Sequence, residues 1–171
     1  MKTTSIVLAA STLALLASPV AAQTTGTTGL KATASVNVQK PLQLTALRDL
    51  QFGTVLVGTF TGTQAVAISS SGRTCGSGSG LTCSGVFSTA QYRLIGTNNQ
   101  VALISSPTPT VTLSNGAGGT LALSLSFPAS LSIDNSGNPG RLFEVGGSLG
   151  FTSTMPDGIY TGTIDIEVAY Q

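Results

Sequence analysis

The side chains able to do covalent chemistry are few, and their types exclude more reactions than they permit. The sequence has no histidine, so neither a Ser–His nor a Cys–His nucleophile can be assembled. Its two cysteines, Cys75 and Cys83, flank a short stretch rich in Gly and Ser. A zinc site needs further ligands, and with no histidine and no second cysteine pair none can be completed. In an oxidising compartment such a pair bridges. A Cys75–Cys83 disulfide pinning a hairpin or a long loop is therefore expected. The six carboxylates are Asp49, Asp134, Glu144, Asp157, Asp165 and Glu167. A glycosidase needs two that converge on one cleft. Asp165 and Glu167 share a strand face about 7 Å apart, but their alternation with apolar neighbours describes a solvated outer face.

The remaining polar groups are equally plain. Asp134-Asn135-Ser136-Gly137-Asn138 has a calcium-loop composition, yet it lacks the ligand spacing and closing Glu of an EF-hand and reads as an Asx-type turn. Arg48, Arg73, Arg93 and Arg141 are dispersed and read as ordinary surface residues. Tyr92, Tyr160 and Tyr170 could stack on sugars, but in a chain without Trp they read as packing residues. The sequence is thus not that of an enzyme, and it calls for no cofactor and no metal.

The elements that would position these groups begin after a leader. Lys2 precedes an apolar stretch from Ile6 to Leu16, followed by Pro19, Val20, Ala21 and Ala22. That is a secretory signal peptide over residues 1–22, cut before Gln23. Its apolar run is shorter than the roughly 20 residues that span a bilayer, and no later segment is long and apolar enough to do so. Removing Lys2 balances the charges, because seven basic side chains stand against six acidic ones. Charged residues make up 8% of the chain, against about 25% in ordinary soluble proteins. No basic patch exists to hold nucleic acid. A near-neutral surface also lowers the barrier to self-association.

Residues 23–29 are Thr/Gly-rich and read as a flexible lead-in. The rest, 30–171, is one domain. Leu30, Ala32, Ala34, Val36 and Val38 alternate with Lys31, Thr33, Ser35, Asn37 and Gln39, which predicts a strand with one apolar face. Pro41 interrupts it, and a short strand follows through Leu42 and Leu44. Further short strands are predicted at Leu50–Phe52, Val55–Val57, Val66–Ile68, Ala90–Leu94, Val101–Leu103, Leu121–Phe127 and Phe143–Val145, the last ending at Gly146–Gly147. Gly, Pro, Asn and Ser punctuate them. The fold class is all-β, an antiparallel sandwich.

The most informative segment is the last. Asp157–Gly158 is a turn signal; then Ile164, Ile166, Val168 and Tyr170 alternate with Asp165 and Glu167 up to Gln171. An ordered terminal strand must be paired on its edges or it becomes an association site. This ending resembles the chaperone-recognition motif of chaperone–usher pilins, with an aromatic penultimate residue (Tyr170), alternating apolar residues before it, and a glycine (Gly158) fourteenth from the end. Asp49-Leu50-Gln51-Phe52-Gly53 resembles the Phe-Gly element of the spore-coat-U-like subunits of archaic pili. Arg73-Thr74-Cys75, with Leu81-Thr82-Cys83-Ser84-Gly85 and the ending, is similar to a family of secreted bacterial proteins of uncharacterised function related to those subunits.

The resemblance implies an immunoglobulin-like sandwich that lacks one strand and leaves an apolar groove. A periplasmic chaperone fills the groove first, and the N-terminal strand of a neighbouring subunit then replaces it at an outer-membrane usher. It implies Gly158, Ile164, Ile166, Val168 and Tyr170 as the chaperone-recognition strand. Leu30, Ala32, Ala34, Val36 and Val38 are the donor-strand candidates. The implied protein is a structural subunit of a surface fibre, or fimbrium, exported through the periplasm to the cell surface. The alternative is a self-contained secreted immunoglobulin-like module that keeps residues 30–38 as its own strand and binds another cell-surface component. Two features depart from pilins: Cys75 and Cys83 are close in sequence, and Ala32 and Ala34 are small.

Overall fold

The computed structural model describes residues 29, 31–76, 78, 80–134 and 137–171. The leader over 1–22, the lead-in except Gly29, Leu30, and Asn135 with Ser136 in the Asx-type turn lie outside the described residues. The chain divides into two compact units, residues 1–36 and 37–171. In the first, the described residues are exposed and form no strand. The second is an all-β antiparallel sandwich, with no helix among the described residues.

Twelve strands are described: β1 (Gln43–Arg48), β2 (Thr54–Val57), β3 (Gln64–Ser69), β4 (Gly72–Cys75), β5 (Leu81–Ser84), β6 (Ala90–Ile95), β7 (Gln100–Ser105), β8 (Thr110–Ser114), β9 (Thr120–Ser126), β10 (Ser130–Ile133), β11 (Arg141–Phe151) and β12 (Glu167–Tyr170). The largest sheet runs β1-β6-β11-β3-β4, with β9 also on β11 and β8 on β9. A second sheet is β10-β7-β12, and β2-β5 is a third. Every ladder is antiparallel.

The strand pattern follows from period-two burial. Along β9, Leu121 and Leu123 are buried while Thr120, Ala122 and Ser124 are exposed; β8 repeats the pattern with Val111 and Leu113. The buried residues gather into two clusters. One holds Val66, Leu81, Val111, Leu113, Leu121, Leu123, Leu149 and Phe151. The other holds Ala90, Leu94, Ala102, Ile104, Ile133, Phe143 and Val145.

β11 serves both clusters and changes partners midway. Arg141–Val145 pair with β6, whereas Gly146–Leu149 pair with β9 and Gly147–Phe151 with β3. Gly146–Gly147, expected to end this strand, instead lies inside it. The reason is steric: a side chain at Gly146 would run into the Ile68 carbonyl, and one at Gly147 would sit 2.7 Å from the Ser124 carbonyl. Neighbouring backbones approach there as only glycine permits.

Other expectations are corrected too. Leu50–Phe52 forms only an isolated bridge, Gln51 to Ser88. The alternating stretch predicted as a strand contains no strand at residues 31–38, and Ala32, Ala34, Val36 and Val38 are all exposed. Alternation specifies two faces, but a strand also needs an edge to pair with, and no ladder joins these residues to any strand described here. The Cys75–Cys83 disulfide forms. It does more than close a loop, because Cys75 ends β4 of the large sheet and Cys83 lies in β5 of the two-stranded sheet.

Arg73 and Arg48 are not plain surface residues. Arg73 Nη1 donates to the carbonyls of Phe52 (2.8 Å) and Ser84 (3.0 Å), and its guanidinium lies 4.7 Å from the Phe87 ring centroid. Gly53 takes a positive φ of 76°, and a side chain there would meet the Ser84 carbonyl and Arg73 Nη1 at 2.5 and 2.6 Å. Glycine at position 53 thus leaves room for Arg73 to reach the Phe52 carbonyl and the Ser84 carbonyl of β5. Arg48 donates to the Thr89 carbonyl and to Glu144.

The outward side of β8-β9-β11-β3-β4 has an unusual chemistry. In register, Thr110, Ser124, Ser148, Ala67 and Thr74 lie side by side. Their outward neighbours along the strands are Thr112, Ser114, Thr120, Ala122, Ser126, Gly146, Gly150, Ala65, Ser69 and Gly72, so this face is built from Ser, Thr, Ala and Gly, with the Glu144–Arg48 pair at its border.

Candidate functional site

The segment after Gly158 is positioned from both ends. Gly158 has a φ of 144°, and a Cβ there would come within 3.1 Å of Asn115. Asn115 Nδ2 donates to the Asp157 carbonyl at 3.3 Å, and Tyr160 donates its hydroxyl to the Pro156 carbonyl. Thr161 bridges Ser114 at the end of β8. Gly162 lies against the same strand, with room for no side chain beside Leu113 and the Thr112 carbonyl. The ladder proper is short, since only Glu167–Tyr170 pair with β7.

Within this segment Ile164, Ile166, Val168 and Tyr170 are half-buried, while Asp165, Glu167 and Ala169 are exposed. Ile164 packs on the cluster around Leu113, and Ile166, Val168 and Tyr170 on the cluster around Phe143. The alternation is the one read from the sequence, but the inward face stays partly open to solvent.

β1 has the same character. Leu42 and Leu44 are half-buried against the Phe143 cluster, and β1 pairs only with β6. β12 is likewise an edge strand, pairing only with β7. The two edges belong to different sheets, share one core cluster and are joined by no ladder. Tyr170 ties them at one end: its hydroxyl accepts from the Thr97 amide and donates to the Lys40 carbonyl, both at 2.6 Å. Gly96 makes room there, since a side chain would strike Leu42, Tyr170 and Ile133.

The other end of this gap, where β1 runs into Asp49 and the C-terminal segment passes Asp165, is marked by Tyr92 on β6. Tyr92 stacks on Phe143, centroids 5.5 Å apart. Its pKa is raised above 10.0, first by burial and then by the charges of Asp49 and Asp165. The two half-exposed edges thus flank one stretch of core centred on the Phe143 cluster, about 20 Å long from Ile164 to Tyr170 at strand rise, which we term the slot. Tyr170 clasps one end of it, and Asp49 and Asp165 lie near Tyr92 at the other, its mouth.

The sequence singles out the alternating C-terminal segment but gives no sign that β1 lies over the same core cluster. Leu42 and Leu44 look like any short strand, and the Tyr170–Lys40 contact joins residues 130 apart. Asp165 and Glu167 are both exposed. Asp134 pairs with Arg141 at 3.1 Å. A separate shallow cleft of about 210 Å³ lies where Arg48 meets Glu144.

Fold and slot define a class: an antiparallel β-sandwich whose first and last strands are half-covered, unpaired edges over one core cluster. Residues 42–170 match the family described as "Domain of unknown function (DUF4402)", and the chain belongs to that family. The match begins just before β1 and ends on Tyr170, so it takes in both walls of the slot and leaves out residues 31–41. No curated protein and no solved structure matches the chain. Among the described residues no helix is long and apolar enough to cross a membrane, and this, with the disulfide, is compatible with an exported protein.

Proposed function

We propose that this protein is an exported structural subunit of a pilus-like surface fibre, in which the alternating arm at residues 30–38 of one copy enters the slot between β1 and β12 of the next. The observation that carries the reading is the pair of unpaired edges. β1 and β12 each offer a free row of backbone N–H and C=O groups, and their inward side chains remain half-exposed. An added strand supplies both missing partners, with main-chain hydrogen bonds for strength and alternate side chains for fit. The arm has the required form. Residues 31–38 span about 23 Å as a strand, and Val36 and Val38 are 86% and 81% exposed. During export a periplasmic chaperone would cover the slot and an outer-membrane usher would exchange it for the arm, as in the pilins that the C-terminal segment resembles.

The test is sedimentation of the full chain across concentrations, beside a V36D/V38D variant. The wild type is expected to form concentration-dependent oligomers. The variant, altered only at exposed positions, should stay monomeric and folded. A wild type that remains monomeric and melts cooperatively at every concentration would leave the self-contained surface module in its place.

A further inference from the structure

The few charges around the slot, taken with the chain's connectivity, bear on the polarity of a fibre. Among the described residues, Arg48 and Arg141 are in ion pairs with Glu144 and Asp134, while Lys40, Asp49 and Asp165 are in none. Asp49 directly follows β1 at the end away from Lys40, and Asp165 lies five residues before Tyr170, both near Tyr92; Glu167, exposed on β12, lies between Asp165 and the clasp. Lys40 lies at the opposite, clasped end, its carbonyl held by Tyr170 and its side chain exposed. In a chain with 8% charged residues, a carboxylate pair at one end of a slot and an unpaired ammonium at the other is a complementary arrangement for head-to-tail contact. Arg48, next to Asp49, does not neutralise it, because its guanidinium is turned to Thr89 and Glu144.

Connectivity selects one direction. Each copy enters its own sandwich at the clasp, through Lys40 and Leu42. An incoming arm is followed by its own sandwich at the Lys40 end. If that end lay at the acceptor's clasp, the incoming sandwich would meet the acceptor's own chain entering there. If it lies at the mouth, the two sandwiches stack end to end and the chain continues. The geometry points to an intersubunit junction, resting on the fibre reading above, in which Lys40 of one copy meets Asp49 and Asp165 of a second copy. The donated strand then runs antiparallel to the Ile164–Tyr170 segment.

Binding of a synthetic peptide of residues 30–41 to the full chain tests this without requiring fibres. The K40E peptide should bind about tenfold more weakly than wild type at low salt, because an attractive contact with two carboxylates becomes repulsive. The difference should vanish near 1 M salt, where charges are screened beyond about 3 Å. Against a D49K/D165K chain the preference should reverse, with the K40E peptide binding better. If K31E rather than K40E is the damaging substitution and D49K/D165K rescues it, the strand runs the other way and the junction is wrong. If the wild-type peptide binds but neither lysine matters, the junction falls and the fibre reading stands. No binding of any peptide removes both.

Discussion

Tyr170→Phe is the most direct probe of the clasp that closes one end of the slot. The substitution keeps the ring, and so its packing on the Phe143 cluster, but deletes a hydroxyl engaged in two hydrogen bonds of 2.6 Å. A typical intramolecular bond contributes about 1 kcal/mol net. The Lys40 carbonyl is exposed and water replaces its partner, whereas the half-buried Thr97 amide is left poorly solvated. Together the loss should be about 1.5 kcal/mol, a fall in Tm of about 5 °C for a domain of this size. Urea unfolding would measure the first figure, and amide exchange at Thr97 would localise it. Tyr170→Ala should lose about 2 kcal/mol more, because the half-buried ring goes as well. Should Y170F match the wild type within about 0.3 kcal/mol while the Thr97 amide stays protected, the hydroxyl would not be what joins the two sheets.

Three further outcomes follow from the same geometry. Replacing Cys75 and Cys83 with alanine should cost about 2.5 kcal/mol for a bridge between residues eight apart, by the chain-entropy account, read as a shift in the denaturation midpoint. Gly146→Ala should destabilise by about 3 kcal/mol, because the new methyl meets the Ile68 carbonyl rather than a yielding side chain; thermal unfolding at neutral pH suffices to check it. The raised pKa of Tyr92 makes the folded state hold its proton more tightly than the unfolded chain. Its contribution is fully present below pH 10 and is lost as pH rises through the folded value, so Tyr92→Phe should flatten the alkaline decline in stability.

The parts of this molecule legible in sequence were those governed by neighbours along the chain. Leu121 and Leu123, or Ile166, Val168 and Tyr170, show their burial in period two, because a strand sends alternate side chains to opposite faces whatever it pairs with. Cysteine arithmetic likewise anticipated the Cys75–Cys83 bond. What was not legible depends on partners distant in sequence. β4 is four residues with little alternation and is held by β3 rather than by its own pattern, while β10 alternates Ser130, Leu131, Ser132 and Ile133 but is too short to stand out without its partner β7. β8 was missed although Val111 and Leu113 alternate with Thr110 and Thr112; the run is short and follows Pro107 and Pro109, which read as loop. Gly146–Gly147 read as a terminator because glycine is common in turns, whereas here it serves close backbone approach within a strand. The arm at 31–38 shows the converse: a full strand pattern with no ladder, because pattern sets the faces and pairing must come from elsewhere.

The wall of hydroxyl and methyl groups on β8, β9, β11, β3 and β4 has a consequence for behaviour in bulk solution. Ser and Thr hold water through hydrogen bonds that neither titrate nor recruit counter-ions, so the hydration of this wall stays the same from acid to alkali and from fresh water to brine. Two such walls brought together feel neither charge repulsion nor charge attraction. Small side chains also leave the pleated surface nearly flat, without protruding groups to hold another molecule at a distance. That face keeps the same charge state through swings in salinity and acidity that would change a face coated with ions.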